Sequence, residues 1–400
     1  MVFVCLSFSA CKKKNEASED KEKGLNVYVD IKDKNSLNII KFLTEEYKKE
    51  NPKSNIKVND VLGGGNNIFE DISKGTEADL IFTSRNTMIE LAKKGLISDM
   101  SQHYERNKIG EKFYKIVSAY GRVGDKYYGI GMMPYTMEIF YNGDALGKLG
   151  IKGPTNIKEM SEVAKKLSDN NVRIPVVLGD DLDINTALSS IVASNTIKQE
   201  QLDDQFDNSN SYRAMKDMQK IFDGVNMVVK QAQINKNLFE LGNESTINSL
   251  ASGTIPLVLS TSYYQESLKN GKINLVEDYN ITPNQAGIVP VIINTVLCMP
   301  TNGKNQEEAG KFIKFAVSEG TQEKLINKGY ITGNKKSDEK LSGLGASISK
   351  HLQGSNDESV VYIYSLPKKF QGPISARIEA ILNGKYTGSE WIDIVNEVYK

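Results

Sequence analysis

Glu45-Glu46-Tyr47-Lys48-Lys49-Glu50-Asn51-Pro52, followed by Ile56-Lys57-Val58, is a helix exit running into a strand. Leu37, Ile40, Leu43 and Tyr47 fall on one helical face, so a helix is expected over residues 36–49 with Ser36 as its cap. Asn51-Pro52 stops it, because the residue before proline is pushed out of the helical region. A strand follows over residues 55–61. Upstream, residues 25–31 form a β-rich apolar strand. Downstream come a tight loop, Gly63-Gly64-Gly65-Asn66-Asn67, a helix from Ile68, a buried strand over 78–83 and a helix over 86–94. Strand and helix alternate, which predicts an α/β lobe with a mainly parallel sheet.

The glycine loop lacks the Gly-Lys-Ser/Thr ending of a phosphate loop, so a strand-to-helix turn is the better reading. At 400 residues the chain exceeds one ordinary core, and two lobes are expected. Fifty basic residues balance fifty acidic ones, which gives no electrostatic case for nucleic acid. His103 and His351 are the only histidines, so structural zinc and histidine-based triads have little support. An all-carboxylate ion site stays open, but no metal or cofactor is expected. Cys298, within Val296-Leu297-Cys298-Met299, reads as a small buried hydrophobe.

The N-terminus carries the apolar run Val2, Phe3, Val4, Cys5, Leu6, Phe8, then Ser9-Ala10-Cys11 and Lys12-Lys13-Lys14. It resembles a bacterial lipoprotein signal, with Phe8 where leucine is usual. The resemblance implies cleavage before Cys11, lipidation of Cys11, and a charged tether holding a body at the outer face of the cell membrane.

The body resembles the extracellular solute-binding protein family 1. Four motifs carry this in order: the opening stretch; Gly75 with Ala78-Asp79-Leu80-Ile81; Leu91-Ala92 with Gly95-Leu96-Ile97-Ser98-Asp99-Met100; and Asp125-Lys126-Tyr127-Tyr128-Gly129-Ile130 with Met133-Pro134 and Phe140-Tyr141-Asn142. Further on, Leu149-Gly150, residues 243–260, Gly287 to Val291, residues 305–331 and Gly384-Lys385-Tyr386 continue the likeness. The resemblance implies a two-lobed periplasmic-binding-protein-like type II fold, with an interlobe cleft and chain crossings. Residues 1–10 would be the signal, 11–24 the tether, 25–136 plus 294–333 the first lobe, and 137–293 plus 334–400 the second. It implies a monomer that captures a solute, expected to be a mono- or oligosaccharide, and delivers it to the permease subunits of an ABC importer.

Candidate ligand residues follow strand ends and the crossing. Asp30 ends the first strand; a cap or surface charge is its plain reading. Asn66 and Asn67 sit in the glycine turn. Ser84 and Arg85 follow the third strand, and Arg85 has a surface bond as its alternative. Tyr135 sits at the crossing, where hinge packing competes. Asp181 and Asp183, with Asp180, follow a strand in the second lobe; three acids in four residues are costly to bury together, so a solvated turn competes. Tyr263 and Tyr264 are expected to stack on a sugar, against core or rim packing. The lone Trp391 reads as packing. Open alternatives are a peptide, polyol or anionic solute, an enzyme on the same scaffold, and a surface lipoprotein that only adheres.

Overall fold

A computed structural model of the chain describes residues 24–60, 67–179, 182–281 and 287–400. The segment with Cys11, the residues Asn66, Asp180 and Asp181, and most of the glycine loop lie outside the described residues.

The first helix starts two residues earlier than its hydrophobic pattern suggests. Asp33 caps Lys34–Glu50, accepting from the Ser36 amide at 2.8 Å and from the Ser36 hydroxyl at 2.7 Å. Ser36 is therefore a donor to the cap rather than the cap itself. Tyr47, from the opening stretch, is 1 % exposed. Its ring packs 5.1 Å from Phe312 and 5.3 Å from Phe315, and its hydroxyl donates to Glu308 at 2.8 Å. The helix exit is thereby anchored to the helix Gln306–Ala316, more than 250 residues away.

In chain order the strands are Gly24–Val29 (β1), Asn55–Asp60 (β2), Leu80–Thr83 (β3), Arg122–Val123 (β4), Lys126–Tyr127 (β5), Ile130–Met132 (β6), Tyr135–Asn142 (β7), Ile174–Val177 (β8), Phe239–Leu241 (β9), Leu257–Thr261 (β10), Ile273–Leu275 (β11), Val291–Ile292 (β12) and Thr295–Cys298 (β13). The first sheet has the order β2-β1-β3-β13-β6. β1 runs parallel to β2 and β3, in register Val27↔Val58 and Val29↔Phe82. β13 is antiparallel to both β3 and β6. All four residues of β3 and of β13 are buried, as continuous apolar strands covered on both faces require. Cys298 is fully buried there, and burial pushes its thiol up from the ordinary range.

The second sheet has the order β11-β7-β10-β8-β9. β7 is antiparallel to β10 and β11, while β8 is parallel to β10 and β9. The chain leaves the first sheet between β6 and β7 and returns between β12 and β13. β12 pairs with the start of β7, Val291↔Thr136 and Ile292↔Tyr135, so both crossings run side by side. Met133 enters the first crossing with φ of 56°. Gly333 packs there with φ of +76°, and a Cβ on it would meet Pro134 at 2.8 Å. The helix Lys335–Asp338 packs on the first lobe's helix Glu319–Ile326, and the helix Gly343–Gly354 packs on β7. A third passage therefore falls between them.

Tyr212, Met215, Met218 and Phe222 share a helical spacing, yet they divide among Ser209–Ala214, a short 3-10 turn at Lys216–Met218 and Gln219–Ala232. The Trp391 indole donates to the Tyr212 carbonyl at 2.7 Å, occupying the acceptor that the next helical turn would use. Trp391 also stacks on Phe370 with centroids 5.6 Å apart, which fits its reading as packing.

Candidate functional site

The carboxyl ends of β1 and β3 carry polar residues toward the second lobe. The Asp30 amide donates to the Phe82 carbonyl at 2.8 Å, continuing the β1–β3 ladder by one bond. Its carboxylate accepts from Thr83 Oγ1 at 3.0 Å. Burial raises the Asp30 pKa, with Thr83, Lys368 and Lys32 opposing. Asn67 caps the helix Ile68–Ser73 through the Phe69 amide at 3.1 Å. Ser84 precedes the helix Arg85–Lys93, and its hydroxyl donates to Asn86 Oδ1 at 2.6 Å. Asp30, Asn67, Asn86 and Glu90 line one wall of a cavity of about 300 Å³. Phe206, Pro367 and Lys368 line the other wall, from segments far along the chain. A second cavity, of about 110 Å³, is lined almost wholly by aliphatic residues inside the second lobe and offers a polar solute nothing to bond.

Three tyrosines collect beside the paired crossings. Tyr135 opens β7, and Tyr263 and Tyr264 lie in the 3-10 turn after β10. Tyr135 and Tyr263 have centroids 5.7 Å apart at 84°. Tyr263 and Tyr264 are 5.0 Å apart at 89°. Tyr135 is 5 % exposed, and its hydroxyl has no hydrogen-bond partner among the described residues. Burial pushes the Tyr263 hydroxyl up to about 12, aided by Tyr330, Tyr264, Glu244 and Asp33. Asp33 belongs to the same β1–helix connection as Asp30.

Sequence-based candidates thus divide. Asp30 and Asn67 line the same cavity, with Ser84 bonded to one of its lining residues, and Tyr135, Tyr263 and Tyr264 meet at the crossing. Arg85 is spent elsewhere. It is 1 % exposed and donates to Asp203 at 2.5 Å, to Ser365 at 3.1 Å, and to the Tyr120 and Arg122 carbonyls at 2.7 and 3.1 Å. It joins helix Arg85–Lys93 to helix Gln199–Asp204, with all three guanidinium nitrogens bonded to protein acceptors. Asp183 is an exposed cap of Ile184–Ala193, accepting from Thr186 at 2.7 Å. Asn66 and Asp181 lie outside the described residues. Sequence reading missed Phe206 and Lys368, which line the cavity from segments far along the chain with no local signal of their own.

The family model described as bacterial extracellular solute-binding protein matches residues 34–323, and the chain belongs to that family. No curated protein matches it. Among solved structures, it is similar to a family 1 extracellular solute-binding protein from Bifidobacterium longum subsp. infantis, at 17% identity over 94% of this chain and 98% of that one, with a TM-score of 0.69. The GacH receptor of Streptomyces glaucescens GLA.O, solved unliganded and with acarbose, matches at 14% identity over 94% and 97%, with a TM-score of 0.65. An ABC transporter solute-binding protein from Thermotoga Lettingae TMO, bound with alpha-D-tagatose, matches at 14% identity over 94% and 99%, with a TM-score of 0.61. The family and the two-lobed fold read from the sequence are borne out. The chain is a solute-binding protein rather than an enzyme, and its family implies a small-molecule solute and ABC permease subunits as partners.

Proposed function

We propose that this solute-binding protein captures a mono- or oligosaccharide between its lobes and delivers it to the permease of an ABC importer. The observation that carries this reading is the cleft itself. Its cavity is lined by carboxylate, amide and hydroxyl groups from segments far apart in the chain, and half-buried tyrosine rings lie beside the crossing. Aromatic faces suit the apolar faces of a sugar, and the polar groups suit its hydroxyls. The relatives solved with acarbose and with tagatose support the same choice. Asp30, Asn67, Ser84, Tyr135, Asp183, Tyr263 and Tyr264 are the proposed ligand residues, together with Asn66 and Asp181, which lie outside the described residues. The body spans residues 25–136 plus 294–338 as one lobe and 137–293 plus 339–400 as the other, the last boundary set by the packing of Lys335–Asp338 on the first lobe. It acts as a monomer at the outer face of the membrane, tethered through lipid on Cys11.

A thermal-shift screen of saccharides beside amino acids, peptides and polyols tests the solute class. A ligand at 100 times its Kd stabilises the native state by about 2.7 kcal/mol. A saccharide is the expected hit, and Tyr263→Ala should weaken it by roughly 1 kcal/mol. Binding confined to peptides or polyols, or a saccharide affinity unchanged by Tyr263→Ala and Tyr264→Ala, contradicts the reading. Metabolic labelling with an alkyne fatty acid should mark the chain and fail on Cys11→Ser.

A further inference from the structure

We infer that the second lobe holds a separate site for a small apolar molecule of about the size of benzene. The site is the cavity of about 110 Å³ inside that lobe, which shares no lining residue with the polar cavity at Asp30. Ile139 of β7, Ile174 of β8, and Leu257 and Leu259 of β10 line it from the sheet, and all four are buried. The helices Ile157–Asp169, Ile184–Ala193 and Gln219–Ala232 line it from the layer packed on that sheet.

The side chains explain why the space is there. Ser161 and Ala164 of one helix and Ala232 of another are small, and all three line the cavity. The helix Gln219–Ala232 is already in close contact on another side. A Cβ on its Gly224 would come within 2.5 Å of Val192 Cγ1, on Ile184–Ala193. A helix held in this way relaxes only partly toward a void beside it, so the space stays open.

The lining sets the chemistry of the guest. Among the described residues Ser161 brings the only hydroxyl, and it donates to the Ile157 carbonyl at 3.0 Å. A buried water needs two or more polar partners and finds none here. An apolar cavity of about 150 Å³ stays dry and takes benzene or xenon, and this one is of the same order. Pockets for larger solutes start at about 300 Å³, so size and polarity both exclude a saccharide. An apolar guest restores the dispersion contacts that the lining atoms lack. Val229, Ile234 and Ile281 are half-buried lining residues, which gives a small guest a route in.

The test is calorimetric titration of the full chain with benzene and with phenol, beside thermal unfolding in saturating benzene. Benzene should bind and raise the unfolding midpoint by about 3 °C. Phenol brings a hydroxyl that finds no partner, and should bind at least about tenfold more weakly. Ala164→Leu fills the cavity from within and should abolish benzene binding. If that variant does not fold, Ser161→Val fills the same space from the same helix, and the same loss is expected. Absence of benzene binding in the parent overturns the site. So does phenol binding equal to that of benzene, or benzene binding undiminished in the folded filling variant.

Discussion

Arg85 spends its guanidinium nitrogens on protein acceptors in two lobes. Its partner Asp203 carries a second carboxylate oxygen with no bond among the described residues, and burial raises that carboxyl's pKa despite the arginine. Removing one member of such a pair leaves the other charged and buried. Arg85→Ala should therefore cost about 3–5 kcal/mol, read from urea unfolding. Replacing both residues, Arg85→Met with Asp203→Leu, should recover most of that loss. A single variant as stable as the parent would contradict the buried-pair account. The same residue marks the limit of reading sites from sequence. Polar residues at strand ends are the right places to look, yet Ser84, Asn67 and Asp183 sit at helix starts, Asn67 and Asp183 as hydrogen-bonding caps, and Arg85 bridges lobes. Capping and solute binding use the same residue types at the same positions, so only the three-dimensional partners separate them. The position of the Tyr pair, in a partly exposed turn after a buried strand, was legible, whereas Lys368 reaches the cavity from an unrelated stretch.

The helix Gly343–Gly354 is fastened to β7 through one histidine. His351 Nδ1 lies 2.9 Å from Glu138 Oε1, and Nε2 lies 3.1 Å from the Glu277 carbonyl oxygen. Glu138 is fully buried and also accepts from Tyr279 at 3.3 Å. Both ring nitrogens face acceptors, so only the imidazolium satisfies both. Burial alone would lower the His351 pKa, but Glu138 and Glu277 outweigh it and raise it above 6.5. A raised folded-state value gives stability that is fully present below the unfolded value and lost as pH rises through the folded one. Unfolding midpoints should therefore decline above about pH 6.5 in the parent, and His351→Gln should flatten that slope. An identical slope in both proteins would exclude the histidine as its source. Element positions were largely legible, because period and stop signals are local. The start of Lys34–Glu50 was misplaced because Asp33 and Ser36 are both capping types. The break after Ala214 was invisible because its cause is a bond from Trp391, far along the chain.

Two sheets and side-by-side crossings fit the proposed exchange between open and shut arrangements. β7 and β12 pair where the chain passes between the two sheets. Arg85–Asp203 and Arg122–Asp357, the latter at 2.7 Å, already tie the lobes by protein contacts alone. A solute adds to these ties only through its greater affinity for the shut form. This two-lobed order was legible because four short motifs occur in sequence and at the right spacing. The solute was not, because the residues lining the cavity come from segments far apart in the chain and meet only after folding. The most direct test is small-angle scattering of the chain with and without the saccharide that gives the largest thermal shift. The radius of gyration should fall as the solute saturates, with the same midpoint as binding. An unchanged radius at saturation would contradict capture by closure.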